Sequence, residues 1–450
     1  MSLTRGEVAR RIVHVACAAF ALLLRFLSWP QAALMATLAF LFNWQVLPRL
    51  FGRGMWRQSD VARGYPVGIL AYPLAVLGLI LVFRDRLWMA AAGWGILAVG
   101  DGMAGLVGQA MGGPRLPWNA RKGWAGLVAF VLFGAPAAAF LGAWAAGFSL
   151  AWEAVHWPRT MAVALALALL CALVESLPTT LDDNVTVPLA TALALPLLAA
   201  AEPELLLSDP AFPGRLLVGV GLNAALALAA FLARSIDAAG ALSAVVIGSA
   251  ITAGLGLSGL SLMIAFFVLG SAATKLGYRS KAARGIAQER GGTRGWRNAW
   301  ANGGVPASLA VLAGMAPHGP RDILAIAYAA AVATAAADTC SSELGKAYGR
   351  RTFLITTLRP VPPGTEGAVS LEGTLGGFLG ALLVGAVGVV TGLFGWPSAW
   401  LVAFAGLLGS LAESVLGTVA ERRGWMGNDL LNAANTAIGA LAAVAILRLL

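Results

Sequence analysis

Two short stretches of the sequence place carboxylates among small apolar residues. GDGMAGLVGQ, at residues 100–109, contains Asp101, and ADTCSSELGK, at residues 337–346, contains Asp338 and Glu343. An ionised carboxylate within a lipid bilayer costs at least ~2.5 kcal/mol. If these stretches lie in a membrane, we therefore expect the aspartates to face a polar cavity or to bind a cation.

Small residues follow both aspartates at helical spacing. Gly105 and Gly108 lie four and seven positions after Asp101, and Ser342 lies four positions after Asp338. Residues at these spacings share one face of an α-helix. Small side chains on that face either allow close packing of helices or leave room for a ligand.

The two stretches belong to a longer repeated pattern. Asp101 precedes Glu175 by 74 positions and Asp338 precedes Glu413 by 75, and a serine follows each glutamate. Each half also contains adjacent Asp and Asn residues, namely Asp183-Asn184 and Asn428-Asp429. The sequence therefore predicts a tandem duplication in parallel orientation, with its boundary in the polar segment 200–214.

Such carboxylates suit Mg²⁺, because this hard cation prefers oxygen ligands and is commonly shared with substrate phosphates. The predicted metal ligands are Asp101, Asp183, Asp338 and Asp429. Lys122, with Arg115 and Arg121 close in sequence, would supply positive charge for the phosphates. A metal and cations together are what phosphoryl transfer requires, although a lysine at this position also fits a membrane-topology signal.

The most polar loop of the second half is GTEGAVSLEGT, at residues 364–374. Its glycines and hydroxyl groups, with Gly364 and Thr365 at its start, can turn backbone N–H groups toward phosphates. The sequence has no Walker A pattern, no protein-kinase signature and no GxGxxG motif after a strand. We therefore expect a nucleotide site of a different kind.

Composition restricts where this chemistry takes place. The chain has 450 residues, of which 59% are hydrophobic and 12% charged, and its mean hydropathy is +0.79. These values predict an all-α polytopic membrane protein with about 15 spans and without a separate soluble domain. Cys17, Cys171 and Cys340 lie in apolar segments without a CxxC pattern, which argues against disulfides and zinc. Nothing favours nucleic acid as a partner.

Basic residues predict the orientation of the chain. Most of the 31 Lys and Arg residues fall in alternate loops, and the positive-inside rule then places the N-terminus and the carboxylate-bearing span ends in the cytosol. The C-terminus is expected on the opposite side. The basic segment 275–304 is interpreted as a solvated topology signal in contact with anionic membrane lipids.

Further motifs resemble known families. The first half resembles the phytol kinase and dolichol kinase family over residues 10–200, through RRIVH, GDGMAGLVGQ, LPWNARKGWAGLVAF and LVESLPTTLDDNVTVPL. The second half resembles the integral-membrane family that contains phytyl-phosphate kinase over residues 214–450, through GALSAVVIG, WANGGVPA, ADTCSSELG, LITTLRPVPPGTEGAVSLEGT, GSLAESVLG and NDLLN. The resemblance implies a fusion of two membrane domains, 1–200 and 214–450, in a bacterial-type inner or cell membrane.

The resemblance also implies an activity and its residues. An isoprenoid alcohol such as phytol, geranylgeraniol or farnesol would become the monophosphate in the first half, and the monophosphate would become the diphosphate in the second. CTP would be the phosphoryl donor, with Mg²⁺. The implied catalytic residues are Asp101, Lys122, Glu175, Asp183, Asp338, Glu366, Glu413 and Asp429. The implied nucleotide-binding residues are Asn184, Gly364, Thr365, Glu372, Asn428 and Asn432.

Two departures from the family patterns qualify these expectations. Ala125 stands where dolichol kinase-like members have Glu, which argues against a dolichol-sized substrate. Val369 stands where the first half has Lys122, so the second half must take its cation from elsewhere. The candidates for that cation are Lys346, Arg350, Arg351 and Arg359.

Two alternative functions remain at this stage. One is a CTP-dependent cytidylyltransferase-like enzyme in which a single half is active. The other is an ion-coupled transporter, since polytopic repeats with intramembrane carboxylates also form carriers, although transporter repeats are often inverted and their sites lie near the midplane. The sequence leaves the oligomeric state open.

Overall fold

The computed structural model describes residues 5–51, 60, 64–147, 156–287, 293–421 and 424–449. Part of the basic segment 275–304, residues 288–292, therefore lies outside the described residues. The chain divides into two compact units, Met1–Ala200 and Ala201–Leu450, called unit 1 and unit 2 below. Each unit has its own hydrophobic core.

The fold is all-α, and the chain is a polytopic membrane protein, as the composition predicts. Within the described residues, ten helices are long and apolar enough to cross a bilayer. They are Leu87–Met111, Trp124–Ala145, Trp157–Ser176, Asp183–Ala200, Phe212–Leu232, Ala238–Lys275, Pro320–Tyr348, Leu371–Val390, Trp396–Val419 and Asn428–Leu449. Many of their large apolar side chains are exposed, as expected for surfaces that face lipid.

The remaining predicted spans correspond to helices that are shorter or less apolar than these ten, or to one long helix that covers two predicted spans. Ala238–Lys275 covers two predicted spans and is interrupted at Gly256, where φ is 67° and ψ is −161°. The shorter or less apolar helical segments are Arg5–Ala16, the 3-10 segment Cys17–Arg25, Trp29–Leu41, the π segment Phe42–Val46, Leu47–Phe51, Val67–Val82 and Trp296–Gly314. Short helices occur at Pro203–Leu207 and Tyr278–Ala283.

Each unit repeats one order of elements. In unit 1 the helix Leu87–Met111 leads to a hairpin of strands Arg115–Leu116 and Asn119–Gly123, and three helices follow it. In unit 2 the helix Pro320–Tyr348 leads to a hairpin of strands Thr352–Leu354 and Ala368–Ser370, and again three helices follow. The second strand of each hairpin runs directly into the next helix.

A close approach of glycines recurs at the same place in both units. A Cβ atom on Gly108 would lie 3.1 Å from the Cα of Gly126 on the next long helix. In unit 2 a Cβ atom on Gly373 would lie 3.2 Å from the Cα of Gly345. Without side chains at these positions the two backbones of each pair come together. One of the small residues after Asp101 is therefore used for helix packing.

Unit 2 is organised around the helix Pro320–Tyr348, which packs against the helices Trp296–Gly314, Leu371–Val390, Trp396–Leu416 and Asn428–Leu449. An alanine-rich run, residues 325–337, is buried almost throughout. Small side chains let the neighbouring helices approach from several directions. This packing fixes the position of Asp338, which follows the run directly.

The break at Gly256 gives a stability prediction. Its backbone conformation is one that essentially only glycine adopts, and a Cβ atom there would meet nothing within 4 Å. Gly256→Ala should therefore lower the free energy of unfolding by about 1–3 kcal/mol through backbone strain alone. Thermal unfolding of the purified protein in detergent measures the change.

Gly221→Ala is the matched control, because Gly221 is helical and a Cβ atom there also meets nothing within 4 Å. It should be neutral or stabilising by up to about 1 kcal/mol. Equal destabilisation by the two substitutions would contradict the assignment of strain to Gly256.

Candidate active site

Three carboxylates converge in unit 1. Asp101 ends a π-helical segment, Ile96–Asp101, within its span; Glu175 lies at the end of the span Trp157–Ser176, and Asp183 begins the following helix. Their carboxylate oxygens lie within 4.8 Å of one another. Among the described residues they form the only such group of three His, Cys, Asp or Glu side chains. An all-oxygen set of this size fits a hard divalent cation such as Mg²⁺.

Lys122 connects two of these carboxylates. Its Nζ lies 2.5 Å from Oε1 of Glu175 and 3.5 Å from Oδ1 of Asp183. It also donates a hydrogen bond to the backbone carbonyl of Glu175. The ammonium group therefore holds together the ends of two helices that the intervening loop, residues 177–182, separates in sequence.

The hairpin before Lys122 is fastened to the same helix end. Trp118 Nε1 donates to Oγ of Ser176 at 3.0 Å, and Asn119 Nδ2 donates to the Ser176 carbonyl at 3.0 Å. These bonds attach the LPWNARKG segment to the residue that follows Glu175. The position of Lys122 beside Glu175 is thus a result of the hairpin as well as of charge attraction.

Charge and burial act in opposite directions on Lys122. Burial disfavours its charged form, but Asp183 and Glu175 outweigh burial, so the pKa of the Lys122 ammonium is raised above its ordinary value. Lys122 is therefore positively charged at neutral pH and can neutralise carboxylates or phosphates.

His14, on the first helix, borders the Asp101 carboxylate. Its Nε2 lies 3.0 Å from the Leu97 carbonyl and 3.6 Å from Oδ2 of Asp101. The ring also packs edge-on against Tyr72, with the ring centroids 4.7 Å apart. The hydrogen bond to the carbonyl of Leu97, which lies in the π-helical segment, holds the imidazole next to the three carboxylates.

Asn184 is close to the cluster but is turned toward its own loop. Its Nδ2 donates to Oδ1 of Asp182 at 2.7 Å, while its side-chain oxygen is buried without a hydrogen-bond partner. Asn184 therefore directly follows one of the three carboxylates, Asp183, in sequence, and its role as a nucleotide contact stays a prediction.

In unit 2 the predicted residues gather around a cavity of about 300 Å³. The predicted site residues that line it are Asp338, Gly364, Thr365, Glu366, Glu413 and Asn428. Ser341, Ser342 and Lys346 add hydroxyl groups and a positive charge. The cavity therefore combines two of the carboxylates of the repeat with the polar loop and a cation.

Three predicted residues of unit 2 are not in this lining. Glu372 accepts a weak hydrogen bond, 3.4 Å long, from the backbone N–H of Arg350. Asp429 is exposed, and Asn432 is buried in the last helix. Asn428 is the first residue of its helix, as Asp183 is in unit 1. Asn428 lines the cavity, and the role of the adjacent Asp429 as a metal ligand stays a prediction.

Among the four cations considered for unit 2, Lys346 lines the cavity. Arg350, Arg351 and Arg359 are exposed and are not part of the lining. Lys346 is thus the best placed of the four to assume the role that Lys122 has in unit 1. It approaches from the Asp338 helix rather than from the hairpin.

Glu343 belongs to a different environment from Asp338. The two residues are five positions apart on one helix, which is about 140° of rotation. Glu343 is buried and ion-paired with Lys281, which has no exposed side-chain surface and also donates to the Thr274 carbonyl at 2.9 Å. Sequence reasoning did not find this pair, because Lys281 lies in a basic segment that was interpreted as a topology signal.

The sequence of this chain is similar to those of other membrane proteins. The family described as Integral membrane protein DUF92 matches residues 221–440. An uncharacterized membrane protein of Synechocystis is 42% identical over 202 residues, which is 45% of this chain and 78% of that protein. The chain belongs to the DUF92 integral membrane family.

Plant proteins are also similar to this member of the family. Protein VTE6 of Arabidopsis thaliana is 35% identical over 218 residues, covering 47% of this chain and 66% of that protein. A probable phytol kinase of Glycine max is 30% identical over 199 residues, covering 42% of this chain and 65% of that protein. Both plant proteins are named as chloroplastic. No solved structure matches the chain.

The Lys281–Glu343 pair gives a second stability prediction. Lys281→Met leaves the Glu343 carboxylate buried without its partner, which should cost about 3–5 kcal/mol of unfolding free energy. The double variant Lys281→Met with Glu343→Leu removes both charges and should recover most of that loss. Thermal unfolding in detergent measures each variant, with Arg350→Gln as the control for loss of an exposed cation. A double variant as unstable as the single variant would contradict the pairing.

Proposed function

We propose that this chain is a bifunctional kinase of isoprenoid alcohols. Unit 1 would transfer the terminal phosphoryl group of CTP to an alcohol of phytol, geranylgeraniol or farnesol type. Unit 2 would transfer a second phosphoryl group to the resulting monophosphate and form the diphosphate. The observation that carries the proposal is the group of Asp101, Glu175 and Asp183 bridged by Lys122.

The unit 1 group has the composition that phosphoryl transfer needs. Asp101, Glu175 and Asp183 would hold Mg²⁺, which neutralises phosphate charge when bound. Lys122 would release part of its interaction with the carboxylates and bind phosphate oxygens. Positioning and charge neutralisation supply most of the catalysis in such reactions.

The proposed phosphoryl transfer is an in-line displacement. The alcohol oxygen forms a bond to the terminal phosphorus, the bond between that phosphorus and the bridging oxygen breaks, and CDP leaves. In this proposal one Asp101 carboxylate oxygen would contact the cation and the other would accept the hydroxyl proton. Asp101 has His14 rather than an ammonium group as its ion-pairing neighbour, whereas Glu175 and Asp183 are both engaged by Lys122.

Unit 2 is proposed to perform the same displacement on a phosphate oxygen. Its cavity carries Asp338 and Glu413 with Asn428, Lys346 and the loop residues Gly364 to Glu366. The repeated order of elements and the repeated glycine contact support a shared mechanism. Similarity to proteins named phytol kinase supports the isoprenoid class of substrate.

The two steps can be assigned by aspartate substitutions. Purified protein in detergent receives Mg²⁺, CTP labelled in its terminal phosphate, and either phytol or phytyl monophosphate. Asp101→Asn should reduce monophosphate formation from the alcohol by about 10³-fold or more, while diphosphate still forms from added monophosphate. Asp338→Asn should give the reverse pattern.

Each variant is the folding control for the other, because the unaffected reaction reports an intact chain. Failure of the wild-type protein to phosphorylate either substrate would contradict the kinase proposal. A CDP-linked lipid as the product would identify a cytidylyltransferase instead. Loss of both reactions in both variants would contradict the assignment of one step to each unit.

A further inference from the structure

The guanidinium of Arg11 lies over Gly105 in unit 1. A Cβ atom on Gly105 would be 1.2 Å from Nη1 of Arg11 and 2.3 Å from its Cζ. The guanidinium therefore occupies the space that any larger residue at position 105 would fill. Gly105 lies one helical turn after Asp101, so this cation is seated next to the carboxylate group.

Neighbouring carboxylates compensate the positive charge of Arg11 only in part. It interacts electrostatically with both Asp101 and Glu175, but within the described residues it forms no ion pair with either carboxylate. Its Nε is buried without a hydrogen-bond partner. A buried charged donor in this state is costly unless a ligand satisfies it.

At the position of unit 2 that corresponds to Gly105, a serine replaces the glycine. The residue four positions after Asp338 is Ser342, and its side chain contributes to the cavity lining. Unit 2 places an arginine over a different glycine, since a Cβ atom on Gly270 would lie 2.6 Å from Nη2 of Arg294. Lys122 is engaged with Glu175 and Asp183, which leaves Arg11 as the cation best placed to meet an incoming anion.

We propose that Arg11, seated on Gly105, binds the phosphates of the nucleoside triphosphate in unit 1 and forms a two-cation clamp with Lys122. This inference rests on the proposed phosphoryl transfer in that unit. The planar guanidinium binds phosphate oxygens through two parallel hydrogen bonds, which an ammonium group cannot do. Gly105 then serves as a positioning residue, because it acts on the nucleotide through Arg11.

Substitutions at both positions test the clamp. Arg11→Gln should raise the KM for CTP in alcohol phosphorylation by about tenfold to a hundredfold, with little change in the KM for the alcohol. Gly105→Ala should have a similar effect, because its methyl group displaces the flexible guanidinium. The double variant should be no worse than either single variant, since both remove the same contact. Arg11→Lys should recover only part of the loss.

Matched controls separate this role from charge and packing. Arg10→Gln removes the neighbouring cation, and Gly78→Ala adds a methyl group to a glycine with nothing within 4 Å of its Cβ position. Both should leave the KM for CTP within about twofold. Formation of diphosphate from added monophosphate should be unchanged in all variants, which shows that the chain is folded.

A binding measurement that needs no turnover separates the clamp from the reaction. Inorganic tripolyphosphate with Mg²⁺ should raise the melting temperature of the wild-type protein more than that of Arg11→Gln or Gly105→Ala. This result with an inactive wild-type protein would support the clamp and contradict the reaction. An active wild-type protein with unchanged KM for CTP and equal thermal shifts in both variants would overturn the clamp. Additive effects in the double variant would overturn the seating of Arg11 on Gly105.

Discussion

The interaction on which the unit 1 site depends is the bridge of Lys122 to Glu175 and Asp183. Carboxylates at the ends of apolar helices repel one another and lose hydration, so they are stable together only near a cation. The ammonium of Lys122 meets this requirement and is itself held in place by the hairpin bonds to Ser176. Helix ends, hairpin and charges are therefore mutually dependent.

The same constraint is met differently in unit 2. Its cavity is lined by Asn428 beside the two carboxylates Asp338 and Glu413, and the cation in its lining, Lys346, lies on the Asp338 helix. A separate buried pair, Lys281 with Glu343, joins other parts of the unit. The two units thus share the order of elements and the glycine contacts, while the charges around each site differ.

Much of the fold could be predicted from the sequence, because apolar segments of span length identify membrane helices directly. The convergence of Asp101, Glu175 and Asp183 was suggested by their recurrence at similar spacings. The sequence predicts Asp429 as a metal ligand and Asn428 as a nucleotide contact, but spacing does not align this pair with unit 1, since eight positions separate Glu175 from Asp183 and fifteen separate Glu413 from Asn428. In the structure Asn428 lines the cavity and Asp429 is not part of the lining.

The cations were the least predictable part. Lys281 lies 62 positions before Glu343, and no local pattern indicates a pairing over that distance. Arg11 and Gly105 lie on different helices. The Arg11 guanidinium occupies the space over Gly105 that a larger side chain would fill, and no local sequence pattern indicates this contact. Charges in basic segments are interpreted first as topology signals, and tertiary contacts are needed to assign them to a site.

Asp101, Glu175 and Asp183 are proposed to form one divalent-cation site. Mn²⁺ is a paramagnetic substitute for Mg²⁺, and a titration followed by electron paramagnetic resonance counts the ions bound per chain. Asp101→Asn and Asp183→Asn should each remove one Mn²⁺ from the wild-type count, with the protein still folded. An unchanged count in both variants would contradict this site.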